Sequence, residues 1–289
     1  AEAFLISVSH TADWLSIGFN CALGATEMRP YLAELAAKAP CFISAHPNAG
    51  LPDESGHYKQ TPEEMARIMR TFADEGLLNI AGGCCGTRPA HIKAIAEAMR
   101  GAVPRKRVTP SPALRLAGLD ALVSNPELPF INVGERTNVA GSRKFLRLIK
   151  EKKYDEAIQI ARNQVENGAA VIDINMDDAM IDAKAELSRF LLLLAGEPDI
   201  ARVPVMIDSS RWDVIRAALC CVQGKSVINS ISLKEGEDVF LTHAKEAKKF
   251  GAAVLCMAFD EKGQADTLER RVAVCRRMYH LLTEQAGFD

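Results

Sequence analysis

Short apolar runs alternate with amphipathic, helix-like stretches along most of the 289-residue chain. Each run is rich in Val and Ile and ends in a polar residue, after which a loop and a helical stretch follow. Strands that are apolar throughout predict a parallel sheet covered by helices on both faces, which is an α/β fold. The predicted strands are residues 16–20, 41–46, 77–81, 129–133, 171–175, 205–208, 227–230 and 254–259.

Residues 104–126 interrupt this alternation. The segment begins Pro-Arg-Lys-Arg-Val-Thr-Pro-Ser-Pro and has no apolar period, which predicts a solvated linker between two domains. Anion binding by its basic run is the weaker interpretation. We therefore predict one domain over residues 1–103 and a second over residues 127–289.

The number of units indicates two barrels rather than one. Three predicted strand–helix units precede the linker and five follow it, whereas a complete (β/α)8 TIM-type barrel has eight units in about 250 residues. Two barrels, each incomplete in this chain and joined by the Pro-rich linker, fit these numbers best. A single eight-unit barrel that contains the proline-rich segment is the alternative.

Two helix starts carry residues suited to capping. Thr61, Pro62 and Glu64 form the pattern of a capping box, with proline at the first helical position. Thr87 is predicted to cap the helix that follows residues 82–87, because its hydroxyl can accept a hydrogen bond from a free helical N–H.

Composition and charge remove several classes of function. With 35 Lys and Arg against 37 Asp and Glu, the net charge of −2 predicts neither a nucleic-acid partner nor an anionic membrane surface. The apolar runs are too short to cross a bilayer, and no signal-peptide pattern opens the sequence. Eight cysteines without regular spacing predict a reducing compartment, the cytoplasm.

Three cysteines follow predicted strand ends. Cys21 comes directly after the first strand, and Cys84 and Cys85 follow the third within Gly-Gly-Cys-Cys-Gly-Thr. The C-terminal strand ends of a parallel barrel lie at one face, and three thiolates there can hold Zn²⁺ with its fourth position open. His46 and His57 are alternative further ligands, although contact with substrate or packing is the preferred interpretation of His46.

The other five cysteines are predicted to be small buried apolar side chains, which is the common state of a lone cysteine. An adjacent pair is weak support for a metal site by itself, because one such pair lies in a helical stretch without flanking glycines. These five residues are Cys41, Cys220, Cys221, Cys256 and Cys275.

The sequence resembles two families in succession. Residues 18–24 (Gly-Phe-Asn-Cys-Ala-Leu-Gly), 44–52 and 82–87 are similar to the homocysteine S-methyltransferase barrel. Residues 132–145, which begin Asn-Val-Gly-Glu-Arg-Thr-Asn, resemble the methyltetrahydrofolate-binding barrel of the cobalamin-dependent methionine synthase family, as do residues 173–177, 207–210, 229–236 and 257–261. The resemblance extends over almost the whole chain in the same order.

For the first barrel, the resemblance implies that Cys21, Cys84 and Cys85 bind zinc. The sulfur of homocysteine would take the open fourth position. Coordination to a metal ion deprotonates a thiol, and the resulting thiolate is the nucleophile that accepts a methyl group.

For the second barrel, the resemblance implies a pterin site at the strand ends. Asp208 would accept hydrogen bonds from the pterin and Asn229 could donate and accept, and both are predicted to take part in catalysis. The alternative is that such strand-end residues only cap the next helix. The complete predicted pterin-binding set is Glu135, Gly141, Ser142, Arg143, Asp173, Asn175, Asp208 and Asn229.

The activity implied by the resemblance is methyl transfer from 5-methyltetrahydrofolate, through a corrinoid, to zinc-activated homocysteine, which yields methionine. Cobalamin, as methylcobalamin, would be bound mainly by a cobalamin-binding domain of the same full-length protein. On this interpretation the chain is an internal fragment that does not complete turnover alone. The alternatives are a zinc homocysteine methyltransferase whose pterin-binding barrel serves another corrinoid carrier, and a non-catalytic zinc- or pterin-binding module.

Overall fold

The structure is a computed structural model that describes residues 1–11, 14–110, 112–128 and 130–288. The chain divides into two compact units. The first contains Ala1–Leu5 and Ala12–Pro112, and the second contains Ile6–Thr11 and Ala113–Asp289. Within the described residues, none of the helices has both the length and the apolar character needed to span a bilayer.

A three-stranded parallel sheet with the order β1-β2-β3 forms the first unit. Its buried side chains include Leu32, Ile43, Met65 and Phe72, which come from helices and from the central strand. The elements up to the proline-rich segment are α1 (Glu2–Val8), β1 (Ser16–Gly24), α2 (Ala25–Lys38), β2 (Phe42–Asn48), α3 (Pro62–Asp74), β3 (Ile80–Ala81) and α4 (Pro89–Ala98).

One predicted helix cap is confirmed and the other is wrong. Thr61 accepts a hydrogen bond from the Glu64 N–H, and the Glu64 side chain accepts one from the Thr61 N–H, which completes the capping box of α3. Thr87 does not cap α4, because its hydroxyl donates to the Cys84 carbonyl at 2.6 Å. The N-terminus of α4 is instead bonded by His91, whose Nδ1 accepts from the Arg88 N–H.

The basic run of the proline-rich segment is only partly solvated. Arg105 is buried, with 5% of its surface exposed. Its guanidinium donates to the carbonyls of Ala36, Ala39 and Cys41 at 2.7–3.0 Å. These carbonyls lie at the C-terminus of α2 and the start of β2, so Arg105 supplies the hydrogen bonds that a helix end otherwise lacks.

Replacing Arg105 with methionine is expected to destabilise the first unit by about 2–4 kcal/mol, since several buried carbonyls lose a charged donor. Urea denaturation measures the change. Lys106→Met is the matched control, because Lys106 is exposed, and its unfolding free energy should stay within about 0.5 kcal/mol of the wild-type value. Equal effects of the two substitutions would contradict this role.

Part of the predicted linker is a β-hairpin. Strands β4 (Arg115–Ala117) and β5 (Ala121–Val123) pair antiparallel, and Leu116 packs with Val171 and Val227 of the second unit. Ala117 and Lys225 exchange two backbone hydrogen bonds. Gly224, at φ +82°, permits this approach, because a Cβ there would lie 2.0 Å from the Ala117 oxygen. Ser111, also in the predicted linker, lies outside the described residues.

The second unit contains a five-stranded parallel sheet with the order β10-β9-β8-β7-β6. Its elements are β6 (Val133–Asn138), α5 (Arg143–Lys150), α6 (Tyr154–Glu166), β7 (Val171–Asn175), α7 (Ala183–Ala195), α8 (Pro198–Ala201), β8 (Val205–Asp208), α9 (Trp212–Leu219), β9 (Val227–Ile231), α10 (Glu237–Lys249), β10 (Ala253–Cys256), β11 (Phe259–Asp260), β12 (Gly263–Gln264) and α11 (Leu268–His280). A 3-10 turn covers Leu233–Glu235, and a π-helical turn covers Leu281–Gln285.

Both sheets keep the order of the strands along the chain. A doubly wound sheet reverses its strand order, whereas a barrel adds each parallel strand beside the previous one. The predicted α/β class with parallel sheets is therefore confirmed, and the two units are consistent with two partial barrels. The single eight-stranded barrel is wrong for the described residues, because their strands form separate three- and five-stranded sheets.

The core of the second unit lies between its sheet and its helices. Phe145 of α5 and Phe190 of α7 are fully buried and meet edge to face, with ring centroids 5.3 Å apart. Ile172, Ile174 and other apolar residues of the sheet belong to the same cluster. Burial on both faces explains why Val171, Ile172 and Ile174 of β7 are all apolar.

Most predicted strands coincide with observed ones, and one is misplaced. β7 and β8 have the predicted bounds, but the strand predicted over residues 129–133 begins at Val133 and extends to Asn138. Phe130 is 73% exposed, so the apolar run before β6 is not a core strand. Pro129, the first residue of that prediction, lies outside the described residues.

The prediction that the remaining five cysteines are buried holds for only some of them. Cys41 is buried, and Cys221 and Cys256 are partly buried. Cys220 and Cys275 are exposed, so the prediction is wrong for these two. Both lie on the solvent side of helical segments, a position that composition cannot distinguish from the buried side.

Candidate functional site

The three cysteines singled out in the sequence lie together in the first unit. The Sγ atoms of Cys21, Cys84 and Cys85 are all within 4.8 Å of one another. Cys21 and Cys85 are 3.3 Å apart and Cys84 and Cys85 are 4.0 Å apart. Three thiolates around a tetrahedral zinc ion, each at about 2.3 Å, would be separated by about 3.8 Å. The cluster therefore fits the ligand set of a zinc ion with one position open.

An irregular end of β1 brings Cys21 into this cluster. The pairing of β1 with β2 changes register between Asn20 and Gly24. Cys21 and Ala22 have φ values of 62° and 61°, in the left-handed region that non-glycine residues rarely occupy. Such strain is characteristic of functional positions, where the surrounding structure maintains it.

Glycines shape the loop that carries Cys84 and Cys85. Gly86 has φ +77°, and a Cβ there would lie 2.3 Å from the Tyr58 side chain. A Cβ at Gly82 would lie 2.4 Å from the His46 ring. The loop is also bonded to β2, because the Cys84 N–H donates to the Pro47 carbonyl at 2.8 Å.

The thiols influence each other's ionisation. Hydrogen bonding from Cys85 lowers the pKa of Cys21 below its usual range. The same interaction raises the pKa of Cys85. The thiolate form is therefore favoured at Cys21, because its neighbours donate hydrogen bonds to it. A bound Zn²⁺ would favour deprotonation of all three thiols.

A cleft of about 260 Å³ adjoins the cluster. Its lining includes Asn20, Ser44, His46 and Cys84. His46 thus borders the space beside the thiols, and its contact with substrate stays a prediction. His57 is not part of this lining; its ring lies 3.7 Å from Asp53, with 78% of the side chain exposed.

The polar residues predicted for the second unit form a row across its sheet. Asn175 pairs in register with Asp208, and Asp208 pairs with Asn229. Asp173 precedes Asn175 by two residues and therefore lies on the same face of β7. Four of the predicted residues are thus close together at the carboxyl ends of three neighbouring strands.

Asn138 extends this row, although the sequence did not lead us to predict it as a site residue. It is the last residue of β6 and pairs in register with Asn175. Its Nδ2 lies 3.0 Å from Asp173 Oδ1 and 3.0 Å from Asp208 Oδ2. The signal that could have revealed it was the polar end of the strand, which the misplaced prediction for β6 concealed.

The other predicted residues lie around this row. Glu135 is exposed on β6, and Arg143 is the exposed first residue of α5. Ser142 caps α5 by accepting from the Phe145 N–H. The N–H of Gly141 donates to Asn138 Oδ1 and that of Ser142 to the Asn138 carbonyl.

The carboxylate of Asp173 is held in an unfavourable environment for ionisation. Burial, with repulsion from Asp208, raises its pKa from 3.8 to about 6, against the opposing effect of the Asn138 hydrogen bond. Burial also raises the pKa of Asp208. Asp173 Oδ2 is buried and has no hydrogen-bond partner among the described residues. An unsatisfied buried acceptor of this kind indicates a place for a donor on a ligand.

The raised pKa of Asp173 predicts a pH-dependent cost to stability. The folded protein holds the proton up to about pH 6 and the unfolded chain only to 3.8, so stability falls as pH rises between these values. The cost is complete above pH 6 and amounts to about 3 kcal/mol for a shift of roughly two units. Asp173→Asn abolishes this cost, and the unfolding free energy of the variant relative to wild type should rise by most of that amount from pH 4 to pH 7.

Urea denaturation measures this difference. Asp178→Asn is the matched control, because Asp178 pairs with Lys150 and its pKa is lowered by that contact. Its difference from wild type should change in the opposite direction over the acid range. A pH-independent difference for Asp173→Asn would contradict the prediction.

Fold and sites together define an α/β protein with a thiol cluster suited to a metal ion and a row of strand-end polar residues. Residues 134–289 match the family model described as "Pterin binding enzyme". Because this match spans more than half of the chain, the protein belongs to the pterin binding enzyme family. Residues 1–99 match the model described as "Homocysteine S-methyltransferase". The chain therefore carries methyltransferase-type enzyme domains, with the thiol cluster in the homocysteine methyltransferase part.

A solved structure of an archaeal fructose 1,6-bisphosphate aldolase is also similar to this chain. The two are 10% identical, and the alignment covers 96% of this chain and 98% of that chain with a TM-score of 0.32. A similarity at this level carries no information about activity.

Proposed function

We propose that this protein takes part in methyl transfer from 5-methyltetrahydrofolate to homocysteine, as in cobalamin-dependent methionine synthase. The observation that carries the proposal is the cluster of three thiols beside a cleft, within the residues that match a homocysteine S-methyltransferase. The match of residues 134–289 to pterin binding enzymes supports a reduced folate, which contains a pterin, as the methyl donor. The two matches together support this combination better than either unit alone.

In the first unit, Cys21, Cys84 and Cys85 hold the metal and the cleft receives homocysteine. Bound zinc would supply Lewis-acid chemistry, which keeps the substrate sulfur in its nucleophilic thiolate form at neutral pH. His46 and Asn20 line the cleft and are placed to contact the amino acid part of the substrate.

In the second unit, the strand-end row binds the pterin ring. The carboxylates of Asp208 and Asp173 accept from its amine and ring N–H groups, and the Asn229 amide can donate as well as accept. A tertiary amine leaves a methyl group poorly unless its nitrogen is protonated or hydrogen-bonded. The polar row, including Asp208 and Asn229, stabilises that nitrogen as the methyl group departs. Glu135, Asn175 and Gly141–Arg143 complete the site.

The proposal includes dependence on cobalamin. A corrinoid carried by a cobalamin-binding domain would accept the methyl group from the folate and pass it to homocysteine. The atoms balance over the two reactions. The methyl group leaves N5 of the folate, and N5 gains a proton. The same methyl group replaces the proton of the homocysteine thiol.

The test uses zinc and homocysteine with the full chain. X-ray absorption at the zinc edge should show three sulfur ligands without homocysteine and four with it. In parallel, calorimetric titration with 5-methyltetrahydrofolate should show binding to wild-type protein. Free cobalamin supplied in solution then allows each half of the transfer to be followed separately by its absorbance.

The results distinguish the candidate functions. Zinc and pterin binding without a new sulfur ligand would favour a non-catalytic binding module. A new sulfur ligand with methyl transfer from a corrinoid other than cobalamin would favour a methyltransferase that serves another carrier. Absence of pterin binding would overturn the proposed role of the second unit.

A further inference from the structure

The side chain of Asn138 connects three strands of the second unit. Asn138 ends β6, and its single amide nitrogen lies 3.0 Å from a carboxylate oxygen of Asp173 on β7 and 3.0 Å from one of Asp208 on β8. A primary amide carries two N–H groups, so it can donate one to each carboxylate. Asn138 is therefore the donor shared by the buried Asp173 and the half-buried Asp208.

The orientation of the Asn138 amide follows from its other contacts. Its Oδ1 accepts the backbone N–H of Ala140 at 2.9 Å and that of Gly141 at 3.2 Å. Backbone N–H groups only donate, so the amide oxygen must face this loop and the nitrogen must face the carboxylates. The loop after β6 thus fixes the direction in which Asn138 donates.

We propose that Asn138 is a positioning residue that holds the carboxylates of Asp173 and Asp208 together as a paired acceptor for the N–H groups of the pterin. The proposal rests on the proposed function as far as the ligand is concerned. Without a shared donor, two buried carboxylates repel each other and one takes up a proton. With it, both can remain ionised while Asp173 Oδ2, which has no partner within the described residues, stays free for the ligand.

The charged groups that raise the pKa values of Asp173 and Asp208 are all acidic. Asp208 and Glu135 raise the pKa of Asp173, and Asp177 and Glu135 raise that of Asp208. Hydrogen bonds act in the opposite direction: those of Asn138 and Asn229 lower the pKa of Asp173, and those of Asn175 and Asn138 lower that of Asp208. Of these donors, Asn138 acts on both acids. Its loss should therefore raise the pH at which Asp173 loses its proton.

The experiment titrates the carboxyl carbons of the full chain, labelled with ¹³C at aspartate, by nuclear magnetic resonance. Wild-type Asp173 should titrate with a midpoint of about 6. In Asn138→Ala and in the nearly isosteric Asn138→Asp, the midpoint should rise by about one unit or more, because a charge-stabilising hydrogen bond is lost. Affinity for 5-methyltetrahydrofolate at pH 7 should fall on the order of tenfold or more.

Gln164→Ala is the control for a merely structural role. Gln164 bonds to the Arg136 N–H and to the Thr137 hydroxyl of the same strand β6, without a hydrogen bond to either carboxylate. The Gln164→Ala substitution should leave the titration midpoint of Asp173 unchanged. Unchanged midpoints in both Asn138 variants, or an equal shift in Gln164→Ala, would overturn the positioning role. The carboxyl titration needs no ligand, so it tests the positioning role independently of pterin binding. Absence of pterin binding by the wild-type protein would overturn the proposed function and not the positioning role.

Discussion

Cys85→Ala is expected to lose zinc binding, with affinity lowered by at least about a hundredfold. Cys85 lies between the other two thiols, 3.3 Å from Cys21 and 4.0 Å from Cys84. The binding free energy of zinc at a structural site with four protein ligands is about 10–16 kcal/mol, so each thiolate contributes several kcal/mol. Competition with a chromophoric chelator measures the affinity, and metal analysis gives the stoichiometry.

Cys220→Ala is the matched control for the zinc measurement. Cys220 is exposed, and its thiol donates to the Arg216 carbonyl in a helical segment of the second unit. This variant should keep one zinc ion per chain with wild-type affinity. If Cys85→Ala retained full zinc binding while Cys220→Ala lost it, the assignment of the metal site to the first unit would be wrong.

Asp208→Ala is expected to weaken binding of 5-methyltetrahydrofolate by roughly a hundredfold. Asp208 lies in the centre of the strand-end row and accepts from Asn138 at 3.0 Å. The substitution removes an acceptor for the pterin and the hydrogen bond that Asn138 donates to Asp208. Hydrogen bonds to charged groups contribute about 1.5–3 kcal/mol each, and two of them account for the expected loss. Calorimetric titration measures the affinity.

Two further variants separate loss of the ligand contact from loss of the fold. Asp208→Asn keeps the size of the side chain and should still bind pterin weakly, since its amide can accept only through one oxygen. Asp178→Ala removes an acid of the loop after β7 that pairs with Lys150, and should change affinity less than about twofold. Equal affinities of wild type and Asp208→Ala would remove Asp208 from the proposed site.

Asn138 and Arg105 show where prediction from the sequence failed. The apolar run before residue 133 suggested a strand, but that strand begins where the run ends, and so Asn138 was not recognised as a strand-end residue. Arg105 occurs in a basic run that predicted a solvated linker, yet it is buried among the carbonyls at the end of α2. Both errors have one cause: hydrophobic pattern reports average burial, whereas these side chains are placed by hydrogen bonds to partners distant in sequence.

Local signals were sufficient for several features. Apolar residues at most positions predicted β7 and β8 with their bounds, because a strand that is buried on both faces is mainly apolar. Asp173, inside β7, is the exception. The capping box of α3 was determined by residues within one helical turn. Cys21, Cys84 and Cys85 could be grouped because parallel strands end at one face, although the 62 residues between Cys21 and Cys84 allowed many other arrangements.

The sequence by itself determined the parallel α/β class, and it predicted two domains and the residues of the candidate sites. Periodicity, capping and strand-end chemistry are local properties, and the sequence contains them in full. Only the tertiary structure decided that the three thiols lie within 4.8 Å of one another, that Asn138 joins Asp173 to Asp208, and that burial raises the pKa of Asp173 to about 6. Distance, burial and charge between residues far apart in sequence depend on packing, which no local pattern specifies.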